Sequence, residues 1–372
     1  MNILIDALGL PPYGGARSAS VGLAQALSKE DPTSKSIVLV SWSDPWLDGY
    51  PNVEQRVVKI SGQLGVRLWL QAYLPHIVKE EGIDIVHFTK NLAAIVPNTR
   101  AVVTVNDLTR IFYPSMFSNW DILYWNLVQR YVLRRADQLI AISHRTKSDL
   151  IEWLDLSVNK VAVVAPGLSS AYHLLDSARV EEVIKKCNLP DNYILYVGGM
   201  ARHKNLRTLI LAFAQLKRRS DLPHKLVIVG GRYHTHNDDH AISLVHQPIE
   251  NDVVFTGVVA DEDLPAIYNS ADLFVLPSLY EGFGLVALEA MACGVPIIAA
   301  ASGALPEVIG ESGILIQDAL DVDTFAHHMQ VMLSNRAIWE DYRAKGLENA
   351  RRFSWESAAK KTLDIYARLL QE

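Results

Sequence analysis

Short apolar runs alternate with longer amphipathic stretches along this chain, and the alternation begins afresh near its middle. Nothing else in the sequence restricts the fold as strongly. Residues 3–7 form the first run, rich in strand formers, and it ends in the turn Gly9-Leu10-Pro11-Pro12-Tyr13-Gly14-Gly15. From Arg17 to Lys29 the apolar positions Val21, Ala24 and Leu27 then recur at helical spacing. Further runs lie at 37–40, 83–88, 101–105, 138–142 and 161–164. Helical stretches at 66–80, with a kink expected at Pro75, and at 121–134 separate some of them. Strands spaced by helices imply βαβ units and a parallel sheet buried on both faces.

The breaker cluster Ala165-Pro166-Gly167 suits a hinge, and after it six more strand-like runs follow, at 193–197, 225–229, 253–256, 273–276, 296–299 and 313–316. From Asp321 onward the periodicity is helical. The expected architecture is α/β: two Rossmann-like, doubly wound lobes with a cleft where strand ends face each other. The expected division is 1–167, 168–352 and a last helical segment, 353–372.

Composition removes several classes of function. Of 372 residues, 49% are hydrophobic and 20% charged, enough for sizeable cores and too little charge for wholesale disorder. A formal net charge of −6 argues against a dedicated nucleic-acid binder. Cys187 and Cys293 are the only cysteines, so neither a disulfide framework nor a cysteine zinc site is expected. No apolar run approaches the roughly 20 residues of a membrane span, and Met1–Asp6 shows no export signal, so the expected location is cytoplasmic.

Chemistry concentrates at Pro277-Ser278-Leu279-Tyr280-Glu281-Gly282-Phe283-Gly284-Leu285-Val286, where a strand end meets a glycine-bearing turn and then a helix running to Cys293. Gly282 and Gly284 let a ligand approach the backbone, and free N–H groups at a helix start favour an anion. Glu281 falls on the turn and Glu289 about one turn into the helix. Both carboxylates suit sugar or ribose hydroxyls. On spacing alone, an ordinary helix start with one solvated glutamate fits equally well.

The stretch resembles the E-x7-E signature of retaining GT-B glycosyltransferases, the glycosyl transferases group 1. Flanking residues extend the likeness: Phe255-Thr256-Gly257, Asp261-Glu262-Asp263-Leu264, Ala271-Asp272-Leu273-Phe274-Val275 and Gly303-Ala304-Leu305-Pro306-Glu307-Val308. Gly14-Gly15, Val102-Val103-Thr104-Val105 with Asp107-Leu108, and Ala136-Asp137 with Ala141-Ile142-Ser143 carry it through the first half. The resemblance implies a GT-B fold, a nucleoside-diphosphate sugar as donor, no separate cofactor and no metal at the diphosphate. It implies that Glu281 holds donor-sugar hydroxyls, that Glu289 holds the ribose, and that the amides of Gly284, Leu285 and Val286 face the diphosphate. The first lobe is expected to bind a saccharide or lipid-linked acceptor, the second the donor, and the helix near 355–370 to cross back onto the first lobe.

Arg202 and Lys204, in Gly198-Gly199-Met200-Ala201-Arg202-His203-Lys204-Asn205, are the cations expected to neutralise the leaving diphosphate. One such contact is typically worth about 3–4 kcal/mol of the barrier. The lysine matches the family pattern, whereas Gly199 stands where an arginine is common and Arg202 is its candidate substitute. Gly14 and Gly15 offer backbone amides to the donor phosphate or the acceptor, without the G-x-G-x-x-G pattern of a dinucleotide site. Asn106 stands where relatives carry histidine and cannot carry a proton near neutral pH. Front-face attack, in which the departing phosphate takes the acceptor proton, leaves it the task of positioning hydroxyls.

His87 and Asn91, near a strand end, either touch the acceptor or pack. His234, His236 and His240 match no zinc spacing, and a solvated loop is expected there. Trp69, Tyr73, Trp120, Tyr124 and Trp125, near Arg67, Arg130, Arg134 and Arg135, leave two readings open: core packing, or peripheral contact with the inner face of a membrane. Two alternatives to glycosyl transfer stand beside it, a nucleotide-sugar epimerase on the same fold and a non-catalytic sugar-binding protein.

Overall fold

The computed structural model describes residues 1–12, 14–60, 62–231 and 249–371, and the histidines at 234, 236 and 240 lie outside them. The chain divides into two compact units, Met1–Ser169 with Phe353–Glu372, and Ser170–Arg352.

In the first unit a parallel sheet is built from β1 (Asn2–Asp6), β2 (Lys35–Val40), β3 (Val53–Val57), β4 (Ile85–Phe88), β5 (Arg100–Val105), β6 (Gln138–Ala141) and β7 (Val161–Val163). The order across it is β3-β2-β1-β4-β5-β6-β7. Successive side chains on a strand point to opposite faces, and both faces are covered. Ile3, Ile5, Val38, Val102 and Ile140 pack with Val21, Ala24 and Leu27 of the helix Gly15–Glu30. Leu4, Leu39, Val86, Phe88 and Val103 pack on the other side with Val66, Leu70, Leu74 and Val78. Double coverage is why these strands read as unbroken apolar runs.

One strand departs from that pattern. Val53–Val57 carries three polar residues, Glu54, Gln55 and Arg56, between its two valines and occupies the sheet edge, where Glu54 pairs with Lys35 and Arg56. Charge on an edge strand discourages pairing with another chain, at the expense of the apolar signature. Around Pro75 the chain does not kink within one helix. It stops at Ala72 and restarts as Leu74–Glu80, with the proline in the first turn, where its missing N–H costs nothing. The stretch after Ser118 is likewise three pieces: Asn119–Tyr124, a π-helical turn Trp125–Gln129, and Arg130–Arg135.

The helix Trp355–Gln371 completes the first unit. Ala358, Ala359, Ile365, Tyr366 and Leu369 join the core beside the helix Gly15–Glu30. A Cβ at Gly22 would lie 2.4 Å from the Trp355 ring, and one at Gly167 only 2.1 Å from the Trp355 backbone nitrogen. His87, fully buried on β4, bonds the Tyr366 hydroxyl at 2.6 Å and Thr104 Oγ1 at 2.7 Å. Burial pushes its pKa down to about 3. This imidazole is therefore committed to packing.

The second unit repeats the plan with β8 (Tyr193–Val197), β9 (Lys225–Val229), β10 (Val253–Gly257), β11 (Leu273–Leu276), β12 (Ile297–Ala300) and β13 (Ile314–Ile316). They form a parallel sheet in the order β10-β9-β8-β11-β12-β13. Each sheet thus reverses its strand order once, between β1 and β4 in the first and between β8 and β11 in the second. Loops leaving the carboxyl ends of such strands part to opposite sides and leave a crevice.

Candidate active site

At the second unit's reversal point, the loop after β8 carries Arg202, His203 and Lys204, and the loop after β11 carries Ser278 and Glu281. Lys204 Nζ donates to both carboxylate oxygens of Glu281, at 2.8 and 3.0 Å. Ser278 Oγ donates to Oε1 of the same carboxylate at 2.7 Å. Glu281 is largely buried, with 10% of its side chain exposed, while Lys204 retains 24%. The carboxylate is therefore oriented by two donors and its charge is offset within the unit.

The two loops are tied together by hydrogen bonds to backbone carbonyls. The Leu279 amide donates to the His203 carbonyl at 2.7 Å, and Asn205 Nδ2 donates to the carbonyls of Pro277 and Ala319 at 3.0 and 2.7 Å. Asn205 adopts a left-handed φ of 54°, a conformation asparagine tolerates better than most residues. The Ala304 amide donates to the Glu281 carbonyl at 2.9 Å, and a Cβ at Gly303 would come within 2.2 Å of that oxygen. Only glycine lets this turn press against the glutamate's backbone, which explains the small residues beside Pro306-Glu307-Val308.

Gly284, at φ 97°, opens the helix Leu285–Ala292 without any side-chain cap. The first amides of a helix have no partner within it, and Leu285 and Val286 remain partly exposed. Such an end, with its helix dipole, suits an anion. Glu289 occupies a different environment. It is buried, accepts a bond from the Tyr268 hydroxyl at 2.9 Å and interacts with Tyr172. Burial outweighs the tyrosine hydrogen bonds and pushes its pKa up to about 7. The solvated-glutamate alternative does not describe this residue. Arg202 is exposed, and among the described residues no carboxylate pairs with it.

In the first unit, Gly14, at φ 98°, caps the helix that begins at Gly15, and both glycines are exposed. Asn106 follows β5; its amide donates to Asn91 Oδ1 at 2.6 Å and its Nδ2 to the Thr89 carbonyl at 3.4 Å. It lines a cavity of about 400 Å³ together with Leu8, Gly9, Arg67, Lys90, Asn91 and Arg110. That cavity borders the loops after β1 and β4, at this sheet's own reversal point. Sequence reasoning flagged Asn106 and Asn91 but did not connect them with the charges around them, of which it named Arg67 only beside the aromatic stretch. Lys90 reaches Asp6 at 3.2 Å and the Leu8 carbonyl. Arg67 and Arg110 converge on Asp121, Arg110 at 2.8 Å. Asp6, a charged residue closing an apolar strand, was the available signal.

Only part of the aromatic stretch packs in the core. Trp125 is buried and stacks on Trp153 at 5.9 Å, whereas Trp120 is 80% exposed, with Leu123, Leu127 and Tyr131 also exposed. Among the described residues no group of histidine, cysteine or carboxylate side chains could hold a metal, and no helix is long and apolar enough to cross a membrane.

Two parallel doubly wound units, each with its crevice at a strand-order reversal, define the two-lobe GT-B fold. Known proteins agree. Sucrose-phosphate synthase from Thermosynechococcus elongatus superposes with a TM-score of 0.80 at 22% identity, covering 100% of this chain and 99% of that one. Anabaena Alr3699/HepE, solved in complex with UDP-glucose, does so with a TM-score of 0.79 at 19% identity, covering 99% and 100%. Residues 180–353 match the model for Glycosyl transferases group 1, and residues 13–171 that for Glycosyltransferase Family 4. The O-antigen chain mannosyltransferase B of Escherichia coli is 33% identical over 269 residues, 72% of this chain and 70% of that enzyme. The chain belongs to the glycosyl transferases group 1 and is a glycosyltransferase.

Proposed function

We propose that the enzyme moves a hexosyl group from a nucleoside-diphosphate sugar to a hydroxyl of a saccharide or lipid-linked acceptor, with retention of anomeric configuration, in the synthesis of a cell-surface polysaccharide. The observation that carries this is the Lys204–Glu281 pair at the β8–β11 reversal, beside the uncapped helix start at Gly284. A diphosphate needs donors and positive charge, a sugar needs oriented acceptors, and this crevice offers both. Kinship with a mannosyltransferase puts mannosyl donors first among those to test.

In the transfer step the bond between the anomeric carbon and the diphosphate oxygen breaks. The same carbon bonds the acceptor oxygen on the same face, and the acceptor's proton passes to the departing phosphate. Lys204 and Arg202 offset the charge that grows on the leaving group, and the amides of Gly284, Leu285 and Val286 bind it. Glu281 holds the sugar hydroxyls, and Glu289 accepts from the ribose in competition with Tyr268. In the first lobe, Asn106 positions hydroxyls, and the amides at Gly14 and Gly15 bind donor phosphate or acceptor. The exposed face at Trp120, Leu123, Leu127 and Tyr131, near Arg134 and Arg135, rests on the membrane surface that holds a lipid-linked acceptor.

The test is a panel of nucleotide sugars screened for thermal stabilisation, followed by transfer assays and determination of the product's anomeric configuration. Absence of stabilisation by any donor sinks the proposal, and an inverted product sinks retention. Isomerised donor formed without acceptor would establish the epimerase instead.

A further inference from the structure

We propose that the 400 Å³ cavity of the first lobe takes an acceptor bearing a phosphate monoester or diphosphate, and that Arg67 and Arg110 read that anionic group. This rests on the glycosyl-transfer function proposed above, because it names the acceptor's chemical class. The cavity lies where a doubly wound sheet places ligands, at the carboxyl ends of β1 and β4. It has room for a sugar ring with a charged substituent.

Charge accounting locates the anion within the cavity. Lys90 is spent on Asp6 and the Leu8 carbonyl. Asp107, also on the lining, accepts from the Thr109 amide at 2.8 Å, at the start of a short helix. Arg67 and Arg110, by contrast, share one carboxylate, Asp121. Burial works to raise the Asp121 pKa, but the bonds from both guanidinium groups outweigh it and hold the residue ionised. Around Asp121, then, two positive charges meet one negative charge, while the Asp107 carboxylate stays a separate negative charge on the lining. Arg67 Nε is buried, and the described residues supply it no acceptor. A phosphate oxygen meets that need.

The guanidinium groups are also held in place in advance. Arg67 lies over the Tyr124 ring at 4.0 Å, and Arg110 over Phe117 and Trp125 at 4.7 and 5.4 Å. Side chains already ordered lose little freedom when they bind, and a planar fork suits phosphate.

The test is calorimetric titration of the full chain with four probes: inorganic phosphate, a hexose 6-phosphate, the matching neutral hexose, and a short-chain prenyl diphosphate in neutral micelles. The expected result is at least tenfold tighter binding of a phosphate-bearing probe than of the neutral hexose, weakening as salt rises. Tighter binding of hexose 6-phosphate identifies a soluble source, and tighter binding of prenyl diphosphate a lipid-borne one. Arg110→Gln should weaken the phosphate probe about tenfold and leave the neutral hexose unchanged. Asp121→Asn, which removes the competing carboxylate, should tighten the phosphate probe severalfold, a direction that misfolding does not produce. If either variant fails to fold, the comparison of wild-type affinities decides. Equal binding of neutral and phosphorylated hexose, or phosphate affinity within twofold of wild type in both variants, overturns the proposal. Nucleotide-sugar stabilisation is measured in parallel, so a failed donor site and a failed anion site give different results.

Discussion

Lys204 grips both oxygens of the Glu281 carboxylate across 77 residues of sequence, and the two side chains share one crevice. Lys204→Ala leaves that carboxylate buried without its counter-charge. We expect kcat to fall about 100- to 1,000-fold, the range for losing one preorganised electrostatic contact. Glu281→Gln should fall comparably, and the double variant should cost less than the product of the two effects. Initial-rate kinetics with a donor that stabilises the wild type checks this, and independent, multiplying losses would show that the residues do not act as a pair.

Glu289 makes stability depend on pH. Its pKa is about 7 in the folded chain against an ordinary 4.5, so the folded state holds a proton that the unfolded state has released. The stabilisation is complete below pH 4.5 and is lost as pH rises through about 7, up to about 3 kcal/mol in all. Glu289→Gln should flatten this part of the profile for the second lobe. Denaturant midpoints of both proteins between pH 4.5 and 8 provide the measurement, and parallel profiles would contradict it.

Tyr366→Phe removes the hydroxyl that bonds buried His87. A lost buried hydrogen bond costs about 1–3 kcal/mol, so the first lobe should unfold earlier in denaturant. Gly167→Ala should cost at least as much, since its methyl group would meet backbone that cannot move aside. Calorimetry that resolves the two lobes tests both, and an unchanged first-lobe transition in the two variants would refute the packing role.

Trp120→Ser with Leu127→Ser should weaken binding to vesicles containing anionic lipid at least fivefold, because exposed apolar area supplies part of interfacial affinity. Co-sedimentation reads this directly. Equal sedimentation of variant and wild type would remove the surface from consideration.

Strands packed on both faces were legible because most side chains in them are apolar; β3 was not, since an edge position rewards Glu54 and Arg56. Glu281 and Lys204 each stood out beside a glycine-bearing turn. Their contact did not, because it depends on β8 and β11 being neighbours, and that adjacency belongs to the sheet order alone. Glu289 looked equally fit for water or ribose, and only the folded chain brings Tyr268 and Tyr172 to it. Arg67, Arg110 and Asp121 are likewise separated in sequence and meet through tertiary packing, so no local pattern announces them.

The helix Trp355–Gln371 shares a core with strand β1, so two segments far apart in sequence must meet before that core closes. During translation the first sheet leaves the ribosome with Ile3, Ile5 and Val38 lacking part of their cover. They wait while Ser170–Arg352 is made, about 10–40 s at 5–20 residues per second. Nascent chains should therefore attract holding chaperones through the N-terminal half and shed them only once Tyr366 arrives.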